Sequence, residues 1–343
     1  MAAHRSGKQY NFAVVGATGV VGAEFLKIAA ERRFPVKGLK LLATERSAGK
    51  RIPFGEGEIT VEATTPQSFA GADFVFISAS GAASREYAPM ARDAGAIVID
   101  DSSVWRQEPD VPLVVPEING ADVEWHKGIL AIPNCSTTPL VMCLWPLHQL
   151  NRVTRVIADT YQSVSGTGTA AVAELAAQSR AWAEGRELIP HAYPHQIAFN
   201  LLPHVDSFLD SGYTKEEWKM TAETRKIMHE PDLALSATCV RVPVFVSHSV
   251  AAHVEFERPM SAEEVRDVLR EAPGVVVQDE PAVDLYPMPR AAAGQDAVYV
   301  GRIREDMSNP NGIAMFISCD NLRKGAALNA LQIAEEMIAR GLV

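Results

Sequence analysis

The sequence predicts an α/β protein in two parts: a mostly parallel sheet in a βαβ arrangement, then an α+β domain with a mainly antiparallel sheet. In the first part, short apolar runs alternate with helical or polar segments up to about residue 133. In the second part, strand-like runs follow one another with helices between them. The length of 343 residues also favours two domains.

The first part begins with a strand, a glycine turn and a helix. Residues 10–15 form a short apolar run, GATGVVG follows, and the next segment, AEFLKIAAERR, is amphipathic with helical spacing. Five further apolar runs predict the remaining strands of this part, at 39–43, 59–63, 74–78, 97–99 and 129–132.

The second part is predicted to begin after Pro133. Two of its helices are marked by capping boxes, Thr214-Lys-Glu-Glu217 and Ser261-Ala-Glu-Glu264. Further helices are predicted at 137–150 and 170–183, strands at 153–161, 236–246, 251–256, 275–278, 298–303 and 313–319, and an irregular stretch at 190–203. A last helix, 322–340, is expected to return to the first domain, so the domains are expected at 1–134 plus 320–343 and at 135–319.

The chain carries 32 Lys and Arg against 42 Asp and Glu, a formal charge of −10. This acidic excess argues against a nucleic-acid or membrane-surface partner, because both are polyanionic. No apolar run reaches the ~18 residues that span a bilayer, and the first residues lack the apolar core of a secretory signal, so the cytoplasm is the expected location. The four cysteines are widely spaced without a C-x-x-C motif, so neither a disulfide framework nor a metal site is expected.

Three glycines follow the first strand with the spacing G-x-x-G-x-x-G, at Gly16, Gly19 and Gly22. In dinucleotide-binding proteins such glycines allow a tight turn and a close approach of the backbone to the pyrophosphate, and the helix N-terminus donates N–H groups to the phosphates. A simple strand-to-helix turn is the alternative interpretation. The position after the first strand of a βαβ series favours nucleotide binding, and hence a Rossmann-type dinucleotide-binding domain.

The residues after the second strand bear on the choice between NAD and NADP. Glu45 could hold the ribose 2′-hydroxyl of NAD. Arg46 and Ser47 follow it at once, and a guanidinium with a hydroxyl suits the 2′-phosphate of NADP. NADP is therefore the expected cofactor, with NAD, or an Arg46 that only faces solvent, as the alternatives.

Cys135 lies in IPNCSTT, where a strand is predicted to end and a helix to begin. The helix dipole and free N–H groups at such a place favour the thiolate, which is the nucleophilic form of cysteine. Cys143, Cys239 and Cys319 lie in apolar surroundings and are interpreted as small buried side chains. Cys135 is therefore the candidate nucleophile, which also requires a base and an electrophile.

Nine motifs along almost the whole chain resemble one family, the aspartate-β-semialdehyde dehydrogenases. They are VVGATGVVG (14–22), RSAGK (46–50), DDSSVWR (100–106), VPLVVPEIN (111–119), IPNCSTT (132–138), YQSVSGTG (161–168), YTKEEWKM (213–220), CVRVPVFVSHS (239–249) and DNLRKGAA (320–327). Their number and order make a chance resemblance very improbable.

The resemblance implies an NADP-dependent enzyme that interconverts L-aspartyl 4-phosphate and L-aspartate 4-semialdehyde plus phosphate, through a thioester on Cys135. The family's acid/base histidine falls on His248, whose ordinary pKa of about 6.5 suits proton transfer at neutral pH. Gln162 matches the residue that helps to hold the substrate or acyl intermediate. The resemblance also implies biosynthesis of lysine through diaminopimelate and of threonine, methionine and isoleucine. It further implies that the second domain is an α+β catalytic and dimerisation domain, so a homodimer or a dimer of dimers is expected.

The remaining substrate-binding residues follow from the same motifs. Arg241 matches the arginine that binds the substrate α-carboxylate, a task that suits a planar bidentate guanidinium. Arg106 and Lys219 match the phosphate-binding pair, and Asn134 is assigned to the substrate site beside the cysteine. The resemblance assigns Ser165, Gly166 and Asn321 to cofactor contacts near the nicotinamide. With the glycine turn and the residues after the second strand, the expected cofactor contacts are Gly16, Thr18, Gly19, Val20, Val21, Gly22, Arg46, Ser47, Ser165, Gly166 and Asn321.

Two neighbouring glutamates compete for one role in the EEWK helix. Glu217 lies three residues after Thr214 and is the expected capping-box partner. Glu216 and Lys219 are i,i+3 neighbours on one helix face. Glu216 is therefore assigned to the active site and Glu217 to the helix cap.

Arg241 and His248 are seven residues apart, which in a straight strand separates their backbones by ~23 Å and places them on opposite faces. If both contact one small substrate, the chain must bend between them, at Pro243 or in the segment Ser247-His248-Ser249.

Two other functions stay open at this point. Another thioester-forming reductase of an acyl phosphate, such as N-acetylglutamyl-phosphate reductase or a glyceraldehyde-phosphate-type dehydrogenase, would share the nucleotide domain, the cysteine and the histidine. Arg241 and the EEWK helix favour the aspartyl substrate. A dinucleotide-binding regulator without catalysis would keep its function in Cys135→Ala, whereas an enzyme would lose turnover.

Overall fold

The computed structural model of the protein describes residues 7–343, which divide into two compact units. The first unit ends at Pro133 and resumes at Ala326, and the second extends from Asn134 to Gly325. None of the helices in this described range is long and apolar enough to cross a lipid bilayer.

A seven-stranded sheet forms the centre of the first unit. Its strands are β1 (Tyr10–Val15), β2 (Val36–Ala43), β3 (Arg51–Phe54), β4 (Gly57–Ala63), β5 (Phe74–Ile77), β6 (Ile97–Asp100) and β7 (Ile129–Ala131). They are arranged in the order β3-β4-β2-β1-β5-β6-β7, and every neighbouring pair is parallel except β3–β4. The mostly parallel sheet confirms the prediction. The sequence analysis missed β3, an edge strand that contains Pro53, a residue that sheets tolerate at their edges.

Aromatic packing fixes the middle of this sheet. The helices of this part are α1 (Val20–Glu31), α2 (Gly81–Asp93) and α3 (Pro116–Asn119). The ring of Phe25 on α1 stacks on Phe76 of β5 with centroids 4.6 Å apart, and Phe12 of β1 stacks on Phe74 of β5 at 5.0 Å. These contacts hold β1 beside β5, so the glycine turn that follows β1 lies next to Ser78 at the end of β5.

The second unit contains a six-stranded sheet and five helices. In chain order its elements are α4 (Thr137–Leu150), β8 (Val153–Gln162), α5 (Thr169–Ala183), α6 (Lys215–Ile227), β9 (Ala234–Arg241), β10 (His248–Phe256), α7 (Ala262–Glu271), β11 (Val275–Val277), α8 (Pro289–Ala292), β12 (Val298–Glu305) and β13 (Gly312–Cys319). The strand order is β11-β12-β13-β10-β8-β9. The three inner pairs are antiparallel and the two outer pairs are parallel, which confirms the mainly antiparallel sheet.

Both predicted capping boxes are present. The Thr214 hydroxyl accepts from the Glu217 N–H, and the Glu217 carboxylate accepts from the Thr214 N–H, at the start of α6. Ser261 and Glu264 make the same reciprocal pair at the start of α7. Each pair satisfies N–H groups that the first helical turn leaves without an intrahelical partner, which is why these two helix starts could be located from the sequence.

The chain returns to the first unit later than the sequence analysis expected. The segment Arg323–Ala327 is a π-helical turn, and the last helix, α9 (Leu328–Ala339), packs into the core of the first unit. Residues 320–325 lie with the second unit instead. The physical reason is hydrogen bonding within the second unit. The Asp320 carboxylate accepts from the Gly294 N–H. The Asn321 side chain accepts from the hydroxyl of Ser163, which follows β8, and from the N–H of Ser247, which precedes β10.

Candidate active site

The glycine turn after β1 has the close backbone contacts that a dinucleotide loop requires. Gly16 has a φ of +85°, and a Cβ there would lie 2.0 Å from the Ser78 carbonyl oxygen. A Cβ on Gly22 would lie 2.4 Å from the Gly16 carbonyl oxygen. Gly19 is the N-cap of α1 and provides no side-chain hydrogen bond to the first turn, where Val20 and Val21 lie. The first N–H groups of the helix are therefore available to phosphate oxygens.

Arg46 and Ser47 lie in a short 3₁₀ turn, Glu45–Ser47, directly after β2. Because β1 and β2 are parallel neighbours, this turn and the glycine turn follow strands at the same edge of the sheet. The Arg46 side chain is exposed and makes no hydrogen bond or ion pair within residues 7–343. The residues thus fit a 2′-phosphate beside the ribose, although Glu45 is exposed in the same turn.

Arg106 lies in the first unit, against two consecutive aspartates at the end of β6. Its Nη2 donates to the Asp101 carbonyl oxygen at 2.8 Å. Burial raises the pKa of Asp101 to about 6, although Arg106 and a hydrogen bond from the Ser78 hydroxyl act in the opposite direction. The arginine is itself buried. This cluster holds the guanidinium in a fixed place.

Cys135 is the second residue before α4, and it is the only half-buried cysteine among the four. Burial raises the pKa of Cys143, Cys239 and Cys319 well above the usual range, so these three thiols stay protonated. The contrast agrees with the prediction that the other three are packing residues. Cys135 alone combines a helix start with partial exposure.

Hydrogen bonds from Asn134 connect helix α6 to the loop that contains Cys135. Its backbone N–H donates to Glu223 Oε2 at 2.6 Å, and its side-chain Nδ2 donates to Glu216 Oε1 at 2.8 Å. Its own Oδ1 accepts from the Ser136 N–H at 2.8 Å. The backbone on both sides of the cysteine is therefore held by hydrogen bonds.

One face of α6 forms a buried ionic cluster. Glu216 Oε2 lies 2.6 Å from Lys219 Nζ, and Gln162 Nε2 donates to Glu216 Oε1 at 3.1 Å. A second carboxylate, that of Asp206, lies 3.0 Å from Lys219 Nζ. Burial alone would raise the pKa of Glu216, but Lys219, Asn134 and Gln162 outweigh it, and the pKa lies below its usual value. Glu216 is thus an ionised hub that connects Lys219, Gln162 and the residue before Cys135.

Glu217 has a different environment from its neighbour. One carboxylate oxygen completes the capping box with Thr214, and the other accepts from the Cys239 N–H at 2.9 Å. The two glutamates therefore separate as the helix-face argument predicted, with Glu216 in the cluster and Glu217 in the cap.

The chain bends between Arg241 and His248. The run 236–246 was predicted as one strand, but β9 ends at Arg241 and β10 begins at His248. These two strands pair with opposite edges of β8, so that Gln162 is opposite Arg241 and Tyr161 is opposite Ser249. The connection contains Pro243, which cannot donate to a ladder, and Ser247 has a φ of +79°. The end of β8 is thereby flanked by both candidate residues.

Arg241 and His248 converge beside Gly166. A Cβ on Gly166 would lie 3.0 Å from His248 Nε2 and 3.1 Å from Arg241 Nη1. Arg241 Nη1 also donates to the Ser163 carbonyl oxygen at 2.8 Å, whereas its Nε has no hydrogen-bond partner within residues 7–343. The buried guanidinium therefore retains donor capacity for a carboxylate.

A polar network lies behind the imidazole of His248. Its Nδ1 accepts from the Ser163 N–H at 3.1 Å, and the Ser163 hydroxyl lies 3.0 Å from the same atom. Asn321 Oδ1 accepts from the hydroxyls of Ser163 and Ser165 and from the Ser247 N–H. Burial, and then the charge of Arg241, lower the pKa of His248 to about 3.

The sequence analysis missed three residues of this site: Ser163, Asp206 and Glu223. Glu223 is fully buried and lies seven positions after Glu216, so the i, i+3, i+7 spacing of Glu216, Lys219 and Glu223 on one helix face could have indicated it. Asp206 lies in an irregular segment, and Ser163 acts partly through its backbone, so no sequence pattern marks either residue.

The predicted residues divide between the units. The second unit contains the cysteine, the α6 cluster and the Arg241–His248 pair, and the first contains the glycine turn, Arg46, Ser47 and Arg106. Among residues 7–343, no group of three or more His, Cys, Asp or Glu side chains is arranged to hold a metal ion.

Comparison with known proteins gives matches over both units. Residues 11–126 match the NAD-binding domain of semialdehyde dehydrogenases, and residues 144–324 match their dimerisation domain. The aspartate-semialdehyde dehydrogenase of Aquifex aeolicus is 52% identical over 339 residues, covering 97% of this chain and 99% of the relative.

Two solved structures extend the comparison. The aspartate semialdehyde dehydrogenase II of Vibrio cholerae, complexed with ASA, has a TM-score of 0.94 at 42% identity and covers 97% of this chain and 99% of that one. The Candida albicans aspartate semialdehyde dehydrogenase with NADP has a TM-score of 0.77 at 27% identity, with 98% of this chain and 100% of that chain covered.

Proposed function

The chain belongs to the aspartate-semialdehyde dehydrogenase family, an oxidoreductase family acting on an aldehyde, and on this premise we propose its reaction in detail. It catalyses the reversible reductive dephosphorylation of L-aspartyl 4-phosphate to L-aspartate 4-semialdehyde plus phosphate, with NADP and a thioester on Cys135. The observation that carries the proposal is the hydrogen-bond network from Asn134, beside Cys135, through Glu216 to Gln162.

The chemistry assigns a task to each side chain. In the oxidative direction the Cys135 thiolate attacks the aldehyde carbon and the carbonyl electron pair moves to oxygen. Bound NADP supplies the acceptor for the hydride that then leaves the carbon. Phosphate attacks the resulting thioester and the thiolate is released. We assign the acid/base role to His248, whose Nε2 faces the reacting oxygen. Gln162 orients the acyl group.

Charged side chains bind the anionic parts of the substrates. Arg241, whose Nε retains an open donor, binds the α-carboxylate. Lys219 and Arg106 bind the transferring phosphate. The acidic chain thus attracts anions by local cations rather than by its net charge of −10.

NADP is proposed as the cofactor because Arg46 is exposed beside the ribose position and makes no ion pair in the part of the chain that the structure describes. Ser47, Thr18 and the glycine turn complete the phosphate contacts, and Ser165, Gly166 and Asn321 contact the nicotinamide end. We expect Arg46→Ala to raise the KM for NADP about tenfold while leaving the KM for NAD unchanged, because only NADP has the 2′-phosphate. Equal changes for both cofactors would contradict this assignment.

A homodimer, or a dimer of dimers, is proposed as the assembly. The second unit exposes large apolar side chains, among them Trp182, Phe199, Leu201, Phe208, Trp218 and Phe245, more than half of each of the first four being accessible. Phe199→Ser is expected to shift sedimentation toward the monomer, whereas Trp125→Ser, which changes an exposed apolar residue of the first unit, is expected to leave it unchanged. A wild-type monomer would overturn the proposal.

We propose that this reaction is a cytoplasmic step in the biosynthesis of four amino acids. These are lysine, made through diaminopimelate, and threonine, methionine and isoleucine. A deletion strain that requires these amino acids and is rescued by this gene would support it. Growth without them would contradict it.

The decisive experiment follows NADPH formation from L-aspartate 4-semialdehyde, NADP and phosphate. Wild type is expected to turn over, and Cys135→Ser to lose at least about 10³-fold in kcat while binding NADP normally. Cys143→Ala, which changes a buried thiol outside the site, controls for loss of a cysteine. Wild type that oxidises only N-acetylglutamate semialdehyde or glyceraldehyde 3-phosphate would favour a related reductase, and no turnover with any aldehyde would favour a non-catalytic regulator.

A further inference from the structure

We propose that Glu174, a buried carboxylate that the proposed reaction does not use, is a positioning residue for the substrate-binding Arg241. It acts through the irregular stretch of residues 189–203, the 189–203 segment, which it holds against the backbone of Arg241 and against the turn that contains Gly166. The inference rests on the proposed function and deepens it, since it names what fixes the side chain that binds the α-carboxylate.

Glu174 lies on α5 and is 7% exposed. A buried carboxylate requires partners, and within residues 7–343 those of Glu174 are N–H groups rather than cationic side chains. Its Oε2 accepts from the backbone N–H of His191, at 2.8 Å, and from that of Ala192. Its Oε1 accepts from Gln178 Nε2 at 3.1 Å. The carboxylate therefore binds the first part of the 189–203 segment.

Gln178, one helical turn after Glu174, binds the same segment at two further places. Its Oε1 accepts from the N–H groups of Ile197 and Ala198, both at 3.0 Å, and its Nε2 donates to the Ile189 carbonyl oxygen at 3.1 Å. The amide orientation is fixed, because only the oxygen can face two N–H donors. The segment, which is described in full, contains no helix and only a single bridge residue, so its backbone groups depend on such side chains.

The last part of the segment pairs with Arg241. The Leu202 N–H donates to the Arg241 carbonyl oxygen at 3.0 Å, and the Arg241 N–H donates to the Leu202 carbonyl oxygen at 2.8 Å. Strand β9 is an edge strand of its sheet, and this bridge covers the edge at Arg241. The Leu202 side chain packs in an apolar cluster with Ile197 and Ala198. The bridge is thus connected to the residues that Gln178 holds.

Tyr193 connects the middle of the segment to the turn beside Arg241. Its hydroxyl donates to Thr167 Oγ1 at 2.9 Å, and its ring packs against the apolar cluster that contains Val164. Burial raises the pKa of Tyr193 against the opposing effects of Thr167 and Arg241, so the phenol stays protonated and can donate at neutral pH. Thr167 directly follows Gly166, beside which Arg241 Nη1 lies. The segment therefore contacts the site at the turn and at the arginine.

The donors around Glu174 exclude an uncharged amide at this position. A glutamine would place its NH₂ group either toward the N–H groups of His191 and Ala192 or toward Gln178 Nε2, and all of these are donors. Rotation of the Gln178 amide would only move the conflict to the two backbone N–H groups that Gln178 binds. Glu174→Gln therefore loosens the segment while keeping the volume of the side chain.

The first test measures whether Glu174 holds the segment, by amide hydrogen exchange of the full-length protein without substrate or cofactor. In Glu174→Gln we expect exchange at 189–203 and at the Arg241 N–H to be at least about tenfold faster than in wild type. Glu187→Gln makes the same change at an exposed glutamate just before the segment and should exchange like wild type. Unchanged exchange in Glu174→Gln would overturn the proposal. Since no turnover is measured, this result is independent of the proposed reaction.

The second test measures whether the segment positions Arg241 for substrate. In Glu174→Gln we expect the KM for L-aspartate 4-semialdehyde to rise about tenfold, with kcat and the KM for NADP and phosphate within about twofold, because Arg241 binds only the α-carboxylate. Tyr193→Phe removes one hydrogen bond and should raise the same KM about threefold. Equal changes in all these constants would show a merely structural role and contradict the proposal. A wild type without turnover would refute the proposed function, whereas the exchange measurement would still report on the segment.

The segment also exposes Phe199 and Leu201, which are proposed for the subunit interface. If Glu174→Gln sediments as a monomer but has the wild-type KM for the aldehyde, the segment serves assembly and the proposal is wrong. Should Glu174→Gln fail to fold, Gln178→Met is read in the same two assays, since it leaves the bonds of Glu174 to the backbone in place. Faster exchange at 189–203 with a higher KM for the aldehyde would support the proposal, and wild-type values would overturn it.

Discussion

His248 Nε2 and Arg241 Nη1 lie 3.0 Å and 3.1 Å from one point, the position that a Cβ on Gly166 would occupy. The two residues are seven positions apart in the sequence, and their side chains reach this point because β9 and β10 pair with opposite edges of β8. A small substrate beside Gly166 could contact an imidazole and a guanidinium at once, which an unbroken strand from Arg241 to His248 would not allow.

Gly166 is predicted to be essential for this arrangement. We expect Gly166→Ala to fold, since Gly166 does not have a positive φ, but to lower kcat/KM about 100-fold because the methyl group displaces the imidazole or the guanidinium. Gly57→Ala, where a Cβ meets nothing within 4 Å, is the matched control. Steady-state kinetics and thermal melting of both variants measure the effect. Full activity in Gly166→Ala would show that the space beside Gly166 is not used.

Substitution of Glu216 is predicted to lower activity, whereas substitution of Glu217 is predicted to lower stability. Glu216→Gln removes the charge that pairs with Lys219, so we expect kcat/KM to fall about 10- to 100-fold. In Glu217 the two carboxylate oxygens accept from the N–H groups of Thr214 and Cys239. Glu217→Gln keeps only one of these acceptors, so we expect the free energy of unfolding to fall by about 1 kcal/mol and kcat/KM to stay unchanged. Paired kinetics and urea denaturation test both. An activity loss in Glu217→Gln as large as that in Glu216→Gln would contradict the assignment.

Asp206 is predicted to compete with phosphate for Lys219. Its carboxylate lies 3.0 Å from Lys219 Nζ, which Glu216 already neutralises, so Asp206→Asn should free the ammonium and lower the KM for phosphate about 3- to 10-fold. Asn tolerates the left-handed φ of +67° at this position. Asp210→Asn makes the same charge change at an exposed aspartate nearby and serves as the control. A higher KM in Asp206→Asn would show that Asp206 helps to hold Lys219 for phosphate.

Asp101 is predicted to give the stability a measurable pH dependence. Burial raises the pKa of this carboxyl to about 6 in the folded protein, above its value in the unfolded chain. The folded state therefore binds the proton more tightly, and this contribution to stability is present below pH 4 and is lost as the pH rises through 6. Relative to Asp101→Asn, wild type should lose on the order of 2 kcal/mol between pH 4 and pH 7. Denaturant titrations at both pH values test this, and a constant difference would contradict it.

Local sequence signals located most of the elements correctly. The helix α4 has the predicted limits, 137–150, and both capping boxes start helices where expected. These predictions worked because a helix start, a glycine turn and an apolar run each depend on neighbouring residues. The strand predicted at 236–246 was too long, because the apolar run continues past Arg241 whereas the ladder to β8 ends there.

The sequence by itself determined the two-part fold, the family and the identity of the main site candidates. Only the tertiary structure decided how those candidates act on one another. Ser163 and Asn321 are 158 positions apart, and Asn134 and Glu223 are 89 apart, yet each pair is hydrogen-bonded. Such contacts depend on sheet register and on the packing of α6, which no local pattern encodes. The place of the His248 imidazole is therefore a property of the fold, set in part by a backbone N–H that every residue except proline could provide.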